Sequence, residues 1–141
     1  MKHYPEFKNM TRAAGPFDVK LAPQPADSEG PESLARLLLD KRFQGDLDGT
    51  SHGQMLAVRS AVKGSAGYVA MEVVSASLHG RRGSFALQHS GTMDRSVPTL
   101  VVRVVPDSGT GELEGLSGSM QIDIAEGGAH SYVFEYELPA G

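Results

Sequence analysis

Glu72 and His89 are the residues in this 141-residue chain whose types and settings best suit acid–base chemistry. Glu72 interrupts the apolar stretch Tyr68–Leu78. In a low-dielectric interior its carboxyl would be pushed up in pKa and serve as a general acid or base. His89 alternates with Phe85 and Leu87 on what reads as a core face, opposite Ser84, Ala86 and Gln88. An inward Glu72 beside His89, with phenols from Tyr68, Tyr132 or Tyr136, would form a polar cluster able to move protons in an isomerisation or cyclisation. The plainer reading is a buried hydrogen-bond network that is satisfied and does nothing else. Alternation alone leaves open which face of this stretch is interior: Tyr68, Ala70, Glu72, Val74 and Leu78, or Val69, Met71 and Val73.

Other side chains suit binding. His130, Tyr132, Phe134, Tyr136 and Leu138 alternate against Ser131, Glu135 and Glu137, giving an aromatic face that either packs a core or stacks on a ligand. Tyr68, Phe85 and Leu87 join it as candidate ligand contacts. Arg103 breaks a β-branched run; it either anchors a ligand carboxylate through its planar fork or points outward and pairs with Glu135 or Glu137. His3, His52, His79, His89 and His130 show no His-x-x-x-His or His-x-Glu spacing, so no metal site is expected. Ser108-Gly109-Thr110-Gly111 lacks the following helix and lysine of a phosphate loop and reads as a hairpin connection. No Gly-x-Ser-x-Gly elbow is present, and no cofactor is expected.

The elements that must position these residues are strands. Glycine and proline cut the chain into apolar segments of about 8 to 13 residues, the spacing of an all-β sandwich or barrel. The expected strands are Gly15–Ala22, Leu34–Gly45, Thr50–Arg59, Tyr68–Leu78, Ser84–Met93, Thr99–Val105, Glu112–Ile124 and His130–Leu138. Asp46-Leu47-Asp48-Gly49 and His79–Gly83 read as turns. Ala26–Glu32, with nothing to bury, reads as a mobile loop. One rival is a helix over Glu32–Arg42, capped by Ser33. Eight antiparallel strands on short turns can close on themselves and so remove exposed edges, and mid-strand Gly115 and Gly118 suit the coiling of a barrel. Residues 1–14 are expected to be an N-terminal extension and 15–141 a single barrel domain, with a two-sheet sandwich as the alternative.

Composition excludes whole classes. There is no cysteine, hence no thiol catalysis or disulfide framework. The formal net charge is −4 and no basic cluster exceeds Arg81-Arg82, which argues against nucleic acid. No apolar run approaches the ~18 residues that span a bilayer, and Met1–Phe17 lacks the apolar core of a signal peptide. A cytoplasmic protein without a membrane partner is expected.

Four stretches together resemble a bacterial family known as domain of unknown function 3224. They are Lys41-Arg42-Phe43-Gln44-Gly45-Asp46-Leu47-Asp48-Gly49-Thr50-Ser51, Gly64-Ser65-Ala66-Gly67-Tyr68-Val69-Ala70-Met71-Glu72, Gly80-Arg81-Arg82-Gly83-Ser84-Phe85-Ala86-Leu87-Gln88-His89 and Val104-Val105-Pro106-Asp107-Ser108-Gly109-Thr110-Gly111-Glu112-Leu113. The likeness runs from about Phe17 to Leu138. It implies a closed eight-stranded antiparallel barrel of the allene oxide cyclase-like, calycin-like kind, and no established activity. A barrel of that size is either filled by side chains or holds one small ligand. Three functions are therefore expected in turn: binding of a small, largely apolar molecule in the interior, a cofactor-independent isomerase or cyclase using Glu72 and His89, or a structural homo-oligomer. The last follows from apolar residues on both faces of several strands, such as Leu37–Leu39 and Val69–Val74.

Overall fold

The computed structural model describes residues 10–25 and 34–139. The loop expected over Ala26–Glu32 and most of the expected N-terminal extension lie outside the described residues. Eight antiparallel strands close into one barrel in chain order. They are β1 (Thr11–Pro23), β2 (Leu34–Phe43), β3 (Leu47–Arg59), β4 (Ala66–Leu78), β5 (Arg81–Asp94), β6 (Val97–Val104), β7 (Ser117–Ile124) and β8 (His130–Glu137). β1 pairs with both β2 and β8, which leaves the cylinder no free edge strand. Among the described residues no helix is long and apolar enough to cross a membrane.

Two hairpins fix the register around the future site. His79 and Gly80 both have positive φ, as do Arg95 and Ser96. Turns with two central residues of that kind match the right-handed twist of the strands they join. The first therefore pairs Leu78 with Arg81 and, further along, Glu72 with Leu87 and Ala70 with His89. Opposed residues in a ladder share a face, so the buried Phe85 and Leu87 bring Val74 and Glu72 inside with them.

Several boundaries differ from the sequence expectation, among them the turn expected over His79–Gly83, which is His79-Gly80 alone, with β5 beginning at Arg81. β1 begins at Thr11, because Ala13 pairs with Phe134 of β8 and is fully buried. β2 is a strand throughout, as expected, and not the rival helix; ladders on both sides outweigh the helical spacing of its leucines. The turn expected at Asp46–Gly49 lies at Gln44–Asp46, with Gly45 at positive φ and Leu47 already buried in β3. The Tyr132 hydroxyl holds that turn by donating to the Gln44 carbonyl at 2.7 Å and accepting from the Leu47 amide at 2.8 Å. Finally, Glu112 and Leu113 belong to a single 3-10 turn (Gly111–Leu113), and β7 starts only at Ser117. Leu113 and Leu116 fold under the barrel and are buried there, so Gly115 serves this plug rather than a strand.

The cylinder is thus unequal along its axis. The end that holds the β2–β3, β4–β5 and β6–β7 connections is packed solid, with Phe43, Leu47, Phe85, Phe134, Leu113 and Leu116 at most 2% exposed. Phe85 and Phe134 stack with centroids 5.8 Å apart. At the other end the interior is hollow.

Candidate functional site

The hollow half encloses a cavity of about 500 Å³, within the range of small-molecule sites. Its walls are apolar, built from residues of all eight strands, among them Val19, Leu39, Met55, Leu100, Ile122 and Ile124. The seam between β6 and β7 has one ladder pair, Arg103 with Ser119. Leu100 and Ile122 flank that seam on the cavity side.

The floor of the cavity is charged. Glu72 is 0% exposed, and its carboxylate accepts three hydrogen bonds. Lys41 Nζ donates to Oε1 at 2.8 Å, His89 Nε2 approaches the same oxygen at 2.6 Å, and Ser51 Oγ donates to Oε2 at 2.5 Å. An ionised carboxylate only accepts, which places a proton on His89 Nε2. Among the described residues His89 Nδ1 has no protein hydrogen-bond partner, and neither has the Tyr68 hydroxyl. Lys41 and His89 line the cavity, and so does Tyr68, whose ring centroid lies 6.3 Å from that of His89. The Lys41 ammonium lies 5.1 Å from the centroid of Phe17 and 5.8 Å from that of Phe43. Both rings present a face that favours a cation.

The path of Lys41 across the barrel depends on a glycine. Lys41 is on β2 and Glu72 on β4, with β3 between them. Gly53 of β3 stands opposite Glu72, and a Cβ there would come within 2.7 Å of the Glu72 Cβ. With only Ser51 and Gly53 on the intervening strand, nothing large separates the ammonium from the carboxylate. Gly91 serves in the same way on β5. A Cβ there would lie 2.5 Å from the Tyr68 ring, so the phenol lies flat over this residue.

The carboxyl of Glu72 departs from the sequence expectation. Burial does push its pKa up, but the hydrogen bond from His89, the charge and hydrogen bond of Lys41 and the hydrogen bond of Ser51 outweigh burial and hold it at about 2. Glu72 is therefore a fixed anion and a poor general base. Burial pushes the Tyr68 phenol up, and the Glu72 charge pushes it further, so it stays protonated. Because the folded-state pKa of Glu72 lies below its ordinary 4.5, the stability it contributes is present above pH ~4.5 and is lost as pH falls towards 2. That contribution is about 3 kcal/mol from the separation of the two values. Acid unfolding followed by circular dichroism should show this loss in wild type and a flatter profile in Glu72→Gln; identical profiles would contradict it.

The model of the family described as "Protein of unknown function (DUF3224)" matches residues 13–136. The chain belongs to this family. A crystal structure of a DUF3224 protein of unknown function from Shewanella oneidensis MR-1 superposes with a TM-score of 0.86 at 48% identity, covering 94% of this chain and 99% of that one. No curated protein matches the chain.

Within the DUF3224 barrel, the candidate residues separate by depth. Glu72, His89, Tyr68 and His130 meet at the cavity or its floor, His130 packing on Phe17 at 5.2 Å. Phe85, Leu87, Phe134 and Tyr132 are core residues with 0–1% exposure, and Tyr132 is engaged in the Gln44 turn. Tyr136 lies at the solid end, its hydroxyl 2.5 Å from His79 Nδ1. These five are packing and fastening groups, outside the cavity wall. Arg103 is exposed on the outer face, because β6 turns Val102 and Val104 inward. It makes no ion pair among the described residues; Arg12 takes Glu135 at 3.1 Å. Sequence reasoning missed Lys41 and Ser51. The available signal was the alternation Leu37, Leu39, Lys41, Phe43, which puts Lys41 in line with apolar neighbours on one face of β2. Among the described residues no three His, Asp or Glu side chains converge as a metal site.

Proposed function

We propose that this DUF3224 protein binds a small, largely apolar molecule in the hollow end of its barrel. The observation that carries the reading is the apolar-walled cavity of about 500 Å³ in a cylinder whose other end is packed solid. Nothing in the packing of a purely structural barrel requires that inequality, since cores otherwise close to crystal-like density. An allene oxide cyclase-like or calycin-like cylinder with one open end suits this use. Calorimetric titration with a medium-chain alkane or alkyl ketone should give one site per chain with micromolar affinity, and failure of every apolar probe to bind would overturn the proposal.

A second reading, a cofactor-independent isomerase or cyclase, is favoured by the His89–Glu72 contact at 2.6 Å on the cavity floor. In it the roles change from those expected: His89 Nδ1 is the base that touches substrate, and Glu72 orients the imidazole and stabilises its cationic form. The outer faces of β3, β4 and β6 also expose Leu56, Val69, Met71, Val73 and Val101, with Val73 58% exposed. A homo-oligomer that covers this stripe is proposed, and a monomer mass by light scattering at micromolar concentration would exclude it.

A further inference from the structure

Resting on the binding reading above, we infer that the ligand carries a carbonyl oxygen, held by the Lys41 ammonium at the cavity floor. Lys41 is 7% exposed, and an ammonium has three N–H donors. Only one has a hydrogen-bonded partner among the described residues, Glu72 Oε1 at 2.8 Å. The aromatic faces of Phe17 and Phe43 attract the charge but accept no strong hydrogen bond. Buried donors left in that state are costly unless something fills them, and the carboxylate oxygens at the floor are already engaged. Glu72 uses both oxygens, and Ser51 donates to one of them. A ligand oxygen in the cavity that Lys41 lines would supply such an acceptor.

The charge count decides what kind of acceptor. Lys41 and Glu72 already balance each other. A carboxylate or phosphate would add an uncompensated anion within walls that are almost entirely apolar, at a steep cost in desolvation. A neutral carbonyl oxygen accepts from the ammonium without disturbing the balance. The Tyr68 hydroxyl, held protonated, adds a second donor on the same cavity. In the neutral imidazole His89 Nδ1 is an acceptor, so a hydroxyl near the carbonyl also finds a partner. The ligand class is thus an apolar ketone, aldehyde or ester, with its carbonyl end down and its hydrocarbon body towards the mouth.

The test compares three probes of equal chain length, a methyl ketone, the alkane and the carboxylate, on the full-length protein by calorimetric titration. A hydrogen bond to a charged donor corresponds to roughly tenfold or more in affinity. Wild type should bind the ketone at least that much tighter than the alkane, with the carboxylate weakest. Lys41→Met alone strands the Glu72 anion and is expected to weaken folding. The double variant Lys41→Met/Glu72→Gln therefore carries the comparison, since replacing both partners of a buried pair is close to neutral. With its fold verified by circular dichroism, it should lose at least tenfold of the ketone's advantage over the alkane, Tyr68 being the donor that remains. Equal binding of ketone and alkane by wild type, tightest binding of the carboxylate, or a ketone preference undiminished in the double variant would overturn the inference while leaving the binding function standing. Binding of no probe would overturn both.

Discussion

Glu72→Ala is expected to lower stability by about 3–5 kcal/mol, the usual cost of removing one partner from a buried ion pair. The Lys41 ammonium then sits between Phe17 and Phe43 with no counter-charge, and Ser51 and His89 lose the oxygens they point at. For a chain of this size the melting temperature should fall by roughly 10–20 °C. The double variant Lys41→Met/Glu72→Gln should lie much closer to wild type, because it removes the charge together with its partner. Thermal unfolding of the two variants side by side checks the account. A Glu72→Ala protein that melts with wild type would show that the floor contributes nothing to the fold.

The second large effect concerns binding. Ala70 is 3% exposed and lines the cavity one ladder step from His89. Ala70→Phe extends a ring into empty space rather than into packed neighbours, so the fold should tolerate it where a ring added at the solid end would cost 1–3 kcal/mol of strain. Apolar probes should lose about a hundredfold or more in affinity, as the space for the ligand's hydrocarbon body disappears. Unchanged probe binding by Ala70→Phe, measured in the same titration as wild type, would place the ligand elsewhere. The two variants act on different links of the chain from sequence to function: Glu72→Ala damages the fold at the floor, and Ala70→Phe blocks the site above it.

The acid–base reading changes character once the floor is known. A buried carboxylate is a base when nothing but low dielectric surrounds it. Here three donors converge on it, and their combined effect exceeds that of burial. In the isomerase reading proposed above, the proton is exchanged with a ligand by the other nitrogen of His89, with Glu72 as its positioning partner.

The sequence by itself determined the strand number and order, the all-β class and the family. These follow from local facts: turn residues punctuate at regular spacing, and alternation marks the half-buried strands. It also placed His89 on the core face with Phe85 and Leu87, but the turn expected over His79–Gly83 was too long to pair Glu72 with Leu87, which the two-residue His79-Gly80 turn does. Alternation put Lys41 in line with the apolar face of β2, but lysine is rarely buried without a partner, and its partner, 31 positions away across β3, was not legible. The depth of each candidate along the barrel axis was not legible either. Tyr132 and Phe134 share one alternating face with His130, and alternation reports inside or outside but never top or bottom. Only closure of the cylinder, with Leu113 and Leu116 folded under one end, decided that one half is filled and the other hollow. That outcome depends on contacts between strands far apart in the chain, which no local pattern encodes.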